Sequence, residues 1–504
     1  MRFISLTGFV ALLIYYPTLL NGQVNPDPDE VFIPNEIAEI QINMSEADKI
    51  ELLADENIQS NTYYVCNLTF ENSSLNESVN NVGIRLRGNT SRSHPKRSFK
   101  IDFREFGGEK FHDHKKFNLK AENNDPSQVR EHLALEVMRL ANVPAARSAH
   151  TRLYINGEYM GLYLNVEQID DEFVQSRFQN DSGNLYKCYW GSTLEHDGQI
   201  FDEAKYELKT NEEINDRSVL NEMVTILNNP TLTNWDNQIE NVFNVSRFVK
   251  YLAAEALLGH WDGYSYNKNN FYLYESPDTG LVEFIAYDVD NTFGIDWVNR
   301  DWSVRDVLDW QKHNDPRPLA GNILDIQRFK EQYIIELTRL LDQIFTEQLL
   351  FPKLDSYRTL LSDAVRDDEY FPLTFGFSHQ TFIDSYELNN LANHLPYGLK
   401  TYITLRSNSA RNQIPEVVLT NIDDTSHDSI ITLFPNPQSG RYLFISTDGP
   451  LIQEPQLLDI HGKPVAFDAE RANQYTMRLD IQTDLPPGLY ILKMNGVTRK
   501  WMRE

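Results

Sequence analysis

His260, Trp261 and Asp262 stand in a row in the stretch GHWDGYSYNKNNFYLY (residues 259–274), and Asn267 follows Asp262 by five positions. That spacing suits a loop in which a carboxylate accepts a hydroxyl proton while an amide helps hold a metal, the chemistry of phosphoryl transfer. A polar helix-to-strand connection can carry the same letters by chance. Downstream, FIAYDVDNTFG (284–294) reads as a strand whose Ala286, Asp288 and Asp290 share one face. Two carboxylates two residues apart on a strand lie roughly 7 Å from each other, which suits a divalent cation. A calcium-loop reading fails, because Phe293 replaces the required Gly and no Glu closes the loop.

The basic counterpart would come from Arg85, Arg87 and Lys100. In VGIRLRG, Ile84 and Leu86 alternate with the two arginines, and in SFKIDF, Phe99, Ile101 and Phe103 alternate with Lys100 and Asp102. Each cation therefore points away from its strand's apolar face. Between them, RGNTSRSHPKRS offers Gly88, Asn89, Thr90 and Ser91, small residues that let backbone N–H groups approach phosphate oxygens. Solvated cations on an open sheet would look the same.

The elements that must position these groups follow from periodicity. Residues 127–141 carry Val129, Leu133, Val137 and Leu140 at helical spacing, with Ser127 as N-cap. TRLYINGEYMGLYLNVE is a hairpin whose Asn156-Gly157 pair supplies the positive φ angles of a primed turn. Residues 246–259 form a second helix, capped by Ser246 and stopped by Gly259.

The chain has 504 residues, more than one ordinary core requires. Residues 1–22 read as a secretory signal peptide, 23–35 as a linker, 36–412 as the main domain, 413–429 as a second linker, and 430–504 as short strands between Pro/Gly turns. No later stretch is long and apolar enough to span a membrane. With 73 acidic against 46 basic residues the net charge is −27, which disfavours nucleic acid. Cys66 and Cys188 allow one disulfide or two free thiols.

Two resemblances organise these readings. LFPNP (433–437), LPPGLYILKM (485–494) and the basic end RKWMRE resemble the C-terminal sorting domain of the type IX secretion system of Bacteroidetes-type bacteria. That implies an Ig-like sandwich used as an export address, the secretion machinery as partner, and a secreted or cell-surface protein that passes through the periplasm. IRLRGNTSRSHPKRSFKIDF, SQVREHLALEVMRLANVPAARSAHTRLYINGEYMGLYLNVEQID, GNLYK, NNFYLY and YDVDNTFG together resemble the CotH family of atypical kinases over about residues 36–410. The implied fold class is α+β, a two-lobed protein-kinase-like domain followed by the small all-β domain.

The second resemblance implies ATP with Mg²⁺ or Mn²⁺, and protein hydroxyls as acceptors. Asp262 becomes the catalytic Asp and Asp288 the principal metal ligand, with Asp290 beside it and Asn267 or Asn270 assisting. Lys100 contacts nucleotide phosphates beside Arg87 and the Gly88–Ser91 loop, Glu167 falls where a hinge would hold adenine through its backbone, and Glu131 or Glu136 pairs with Lys100. Lys187, in GNLYK, matches a family motif without a derivable role. Trp261 stands where ordinary kinases have Arg, and free ATP is scarce outside cells. A kinase-shaped surface-binding or assembly module without turnover is the alternative; glycoside hydrolysis has only a surplus of acids behind it.

Overall fold

The computed structural model describes residues 24–414 and, between 431 and 503, seven strands with parts of their connections. The signal peptide and nearly all of the second linker lie outside the described residues. Contacts divide the chain into two compact units, Gln23–Pro415 and one that takes in Glu416–Glu504.

In the larger unit, alternating apolar residues build a closed barrel. Its strands are β1 (Ile37–Asn43), β2 (Tyr64–Glu71), β3 (Asn76–Arg87), β4 (Ser98–Asp102), β5 (Lys116–Lys120), β6 (Ser148–Ile155) and β7 (Glu158–Glu167), in the order β1-β2-β3-β4-β5-β7-β6. Closure comes from β1, which pairs parallel with β6. Ile40, Leu68, Ile84, Phe99, Ile101, Phe117 and Leu153 fill the interior, each buried. The other faces of β3, β4 and β5 carry Arg85, Lys100 and Asn118 in register. The β6–β7 turn is as expected, with Asn156 at φ 52° and Gly157 at φ 79°.

A four-stranded antiparallel sheet follows, built from β8 (Leu185–Cys188), β9 (Tyr206–Leu208), β10 (Phe271–Glu275) and β11 (Val282–Ala286) in the order β11-β10-β8-β9. The helix Val245–Leu258 packs against β11 and against the helix Gln327–Gln343, and nearly all of its residues are buried. Its N-terminus is capped by Asn244, whose side chain accepts from the Arg247 N–H at 3.1 Å, rather than by Ser246. Its end is as read: Gly259 is left-handed at φ 69°, and a Cβ there would stand 2.2 Å from the Tyr402 hydroxyl.

The helix expected from Ser127 begins at Arg130. Asp125 Oδ2 accepts the N–H groups of Val129 and Arg130 at 2.9 Å each, and the Ser127 hydroxyl donates to the same carboxylate. A longer-reaching acid therefore does the capping. Residues 24–35 are not a linker: Val31 and Phe32 lie in the barrel core, Asn25 bonds the Val143 carbonyl at 2.7 Å, and Asp29 pairs with Arg147 at 2.6 Å. Cys66 and Cys188 are free thiols, both buried.

The smaller unit consists, among its described residues, of two antiparallel sheets. One joins Ile431–Phe434, Tyr442–Thr447, Thr476–Ile481 and Phe467–Asn473, and the other joins Gln456–Asp459, Gly488–Met494 and Val497–Arg503. Leu443, Ile445, Leu479, Leu492 and Trp501 form its core. The protein is thus mixed α+β with a small all-β C-terminal unit. No described helix is long and apolar enough to cross a membrane.

Candidate active site

Asp288 and Asp290 sit in a loop, not on the expected strand, because β11 ends at Ala286 and Asp288 takes φ 50°. Left-handed backbone at a non-glycine costs on the order of 1 kcal/mol and breaks a ladder. The break turns the Asp288 carboxylate toward the end of β5, where Lys120 Nζ meets its Oδ1 at 2.5 Å. The same ammonium also pairs with Glu131, on the first turn of the helix Arg130–Leu140, and lies 4.0 Å from Glu122.

Four carboxyl groups thus crowd one ammonium. Burial opposes charge on Lys120, but Asp288, Glu131, Asp290 and Glu122 outweigh it and drive its pKa well up. Burial pushes Glu122 and Asp290 well above the usual carboxylate range. Asp288 responds oppositely. Burial would raise it, but Lys120, Arg87 and Lys187 outweigh burial and hold it below its ordinary value. Both carboxylate oxygens of Glu122 are buried without a hydrogen bond.

Asp262 follows the helix Val245–Leu258 and sits at the mouth of the short helix Tyr264–Asn267. Asn267 donates to its Oδ1 and Asn270 to its Oδ2 at 3.0 Å, so both amides that the sequence left as alternatives converge on this carboxylate. Burial, helped by the nearby charge of Asp288 and opposed by the asparagines, moves its pKa up to about 6. The two acidic segments are stitched together. Trp261 Nε1 donates to the Ile295 carbonyl at 2.8 Å, and the Phe293 N–H donates to the Leu258 carbonyl at 2.8 Å. His260 is fully buried beside Asp288; burial lowers its pKa to about 4, and neither ring nitrogen makes a hydrogen bond of normal geometry.

Lys100 leaves the apolar face of β4 as expected, but its ammonium rests on Gln168 Oε1 at 2.9 Å and not on Glu131 or Glu136. Glu131 belongs to Lys120, and Glu136 to Lys353 at 2.6 Å. Burial, with the like charges of Arg87, Arg85, Lys116 and Lys187, holds the Lys100 pKa well down. The Gly88–Ser91 loop is pinned by Arg92, whose guanidinium donates to the carbonyls of Gly88 at 2.8 Å and Ser60 at 2.8 Å. A Cβ on Gly88, which has φ 104°, would stand 2.3 Å from Ser91 Oγ.

Glu167 is placed as a structural anchor. Its carboxylate is clamped by Arg147 and Arg177, and its N–H donates to the Arg147 carbonyl at 2.9 Å, which leaves an adenine no donor at this residue. Lys120 and Glu122 escaped sequence reading, although KFNLK alternates Phe117 and Leu119 with a lysine on the opposite face, shortly before Glu131.

Two other features compete for notice. A cavity of about 600 Å³ is lined by Asp29, Lys110, His114, Lys115, Arg147 and Asp170 among others, and touches neither Asp262 nor Asp288. Among the described residues, Asp170, Asp171 and Glu172 form the one three-acid group with ligand atoms within 4.8 Å. Lys115 neutralises Asp171 and Glu172, and Asp170 caps the following helix, which accounts for that cluster without an ion. The Asp288 site offers chiefly oxygen donors, with acids in excess over Lys120. That set suits a hard divalent cation, which needs only one or two carboxylates when phosphates and water complete its shell.

Comparisons with known proteins match both units of the chain. Residues 84–445 match the family described as CotH kinase protein, and residues 432–504 match the secretion system C-terminal sorting domain. The sorting domain implies the secretion machinery as a partner and points to export. The chain is 26% identical to the inner spore coat protein H of Bacillus subtilis over 302 residues, 59% of this chain and 81% of that one. It is 24% identical to Invasin CotH2 of Rhizopus delemar over 369 residues, 68% of this chain and 61% of that one. Invasin CotH3 of the same fungus is 25% identical over 246 residues, 45% of this chain and 40% of that one. With its family match covering most of its length, the chain belongs to the CotH kinase protein family.

Proposed function

We propose that the Gln23–Pro415 unit is an atypical kinase that moves the terminal phosphate of ATP to a protein hydroxyl, in a secreted or surface setting. The barrel and the helical remainder then act as the two lobes of a kinase-like domain, and the C-terminal unit as an Ig-like sandwich serving as export address. The observation that carries this reading is the convergence of Asp262, Asp288 and the Lys120–Glu131 pair from four separate segments of sequence.

In this reading Asp288 and Asp290 hold Mg²⁺ or Mn²⁺, which supplies charge neutralisation between the nucleotide phosphates. Asp262 orients the acceptor hydroxyl and takes its proton; a carboxyl of pKa about 6 is largely ionised at neutral pH and is a stronger base than an ordinary aspartate. Asn267 and Asn270 fix its two oxygens. Arg87 and Lys100 face the phosphates, and the buried Glu131 holds Lys120 in place.

Incubation of the purified protein with γ-labelled ATP and Mg²⁺ or Mn²⁺, scored for label on the chain or on casein-like acceptors, tests the reading. Incorporation that disappears in Asp262→Asn and Asp288→Ala supports it, and absence of incorporation together with absence of nucleotide binding overturns it. The binding-module alternative has no observation of its own in its favour.

A further inference from the structure

Lys187, in the GNLYK stretch, lies on β8 between Glu207 of β9 and Tyr272 of β10. Its side chain shares a sheet face with Tyr272, and with Tyr189 two residues further along the chain. The ammonium stands 5.0 Å from the ring centroid of Tyr189 and 5.0 Å from that of Tyr287, the residue preceding Asp288. Tyr287 is itself propped edge-on against Tyr272, with centroids 5.1 Å apart and planes at 81°. Two aromatic faces therefore locate a lysine that has no ion-pair partner within 4.0 Å among the described residues.

Glu207 is the nearest acid on the sheet, but its carboxylate is taken by the Tyr189 hydroxyl and by Lys209 at 3.0 Å. Ring faces hold a cation without cancelling its charge, whereas a carboxylate would. Lys187 lies within electrostatic reach of Asp288 and of Lys100 on the barrel. Arg87 and Lys100 likewise have no carboxylate within 4.0 Å among the described residues. Three basic side chains, with Lys100 in electrostatic reach of both others and none of them carboxylate-paired among the described residues, in a chain with 73 acidic residues to choose from, mark an anion site.

We propose that Lys187, held between Tyr189 and Tyr287, is a phosphate-binding residue of the nucleotide site, completing a set with Arg87 and Lys100 from the opposite face. This rests on the nucleotide reading above and extends it. The tyrosines position the ammonium, and the lysine contacts the phosphate chain rather than the base. Its contribution is therefore shared by any polyphosphate and absent from a nucleoside.

Calorimetric titration of the full chain with ATP, with inorganic tripolyphosphate and with adenosine, each with Mg²⁺, separates the two levels of the argument. Removal of one charge-assisted contact, in Lys187→Met, is expected to weaken ATP and tripolyphosphate alike by about tenfold or more, with adenosine unaffected. Lys187→Arg restores the binding, and an unchanged melting temperature shows that the Met variant is folded. If Lys187→Met weakens ATP but leaves tripolyphosphate binding intact, or weakens neither, the inference is overturned while the nucleotide reading stands. If the wild-type chain binds neither ATP nor tripolyphosphate, both fall together.

Discussion

Glu255 grips the backbone and side chain of Ser265 at once: the Ser265 N–H donates to Oε1 at 3.2 Å, and its hydroxyl donates to Oε2. Tyr251 adds a third donor at 2.9 Å, and Arg317 holds the Ser265 carbonyl from the other side at 3.1 Å. A Cβ on Gly263 would stand 2.4 Å from the same carboxylate. The loop that presents Asp262 is thereby fixed from the interior of the helix Val245–Leu258.

Burial raises Glu255 from 4.5 to about 7, against the pull of its hydrogen bonds. An acid that binds its proton more tightly when folded destabilises the fold as it ionises, so its contribution declines as pH rises from about 4.5 to 7. Melting temperature of the wild type should fall across that interval more than that of Glu255→Gln. The variant should retain nucleotide affinity and lose kcat by about tenfold, the result of a loosened loop.

Asp262→Asn should abolish turnover, by about a thousandfold or more, and leave Mg-nucleotide binding measurable. Asp288→Ala should lose both. In the wild type, the rate should climb with pH up to about 6 and level off above it, tracking ionisation of Asp262. A pH-rate profile without that limb would remove Asp262 from the base role.

The two lysines of the cleft should separate cleanly. Lys120→Met leaves the buried Glu131 and the half-buried Asp288 without their cation, and should cost about 3 kcal/mol by chemical denaturation. Millimolar Mn²⁺ should recover part of that loss, since it too balances the acids. Lys100→Met should change stability little, because its ammonium rests on the neutral Gln168 amide, while weakening ATP binding.

Glu167→Gln tests the barrel anchor. Despite burial, Arg177 and Arg147 hold this carboxyl well below its usual range, so it stabilises the fold above about pH 4.5 and that stability is lost as pH falls below it. The variant should be less stable at pH 7 by about 3 kcal/mol or more, with ATP affinity unchanged. A loss of affinity in a folded variant would return Glu167 to the nucleotide.

Strand alternation and turn chemistry made much of the fold readable. Ile84 and Leu86 against Arg85 and Arg87, Asn156-Gly157, and Gly259 after an apolar helix each state a local rule that the structure obeys. The misreadings arose where a distant group decides a local outcome. Asp288 sits in a stretch with strand letters, yet the ladder stops because its carboxylate is drawn to Lys120. Ser127 looked like a cap until Asp125 reached past it. Lys100 and Lys120 differ little in sequence, and only the position of Glu131 in space distinguishes them. Residues 24–35 look like a linker by composition, but Phe32 fills the barrel.

The parallel pairing of β1 with β6 joins Ile37 to His150, more than a hundred positions later in the chain. Contacts of that sequence separation are slow to form, since a long loop must close before any of them stabilises it. Until the β6–β7 hairpin exists, β1 has one unpaired edge. β1, though it precedes the other barrel strands in the chain, is therefore among the last of them to be locked.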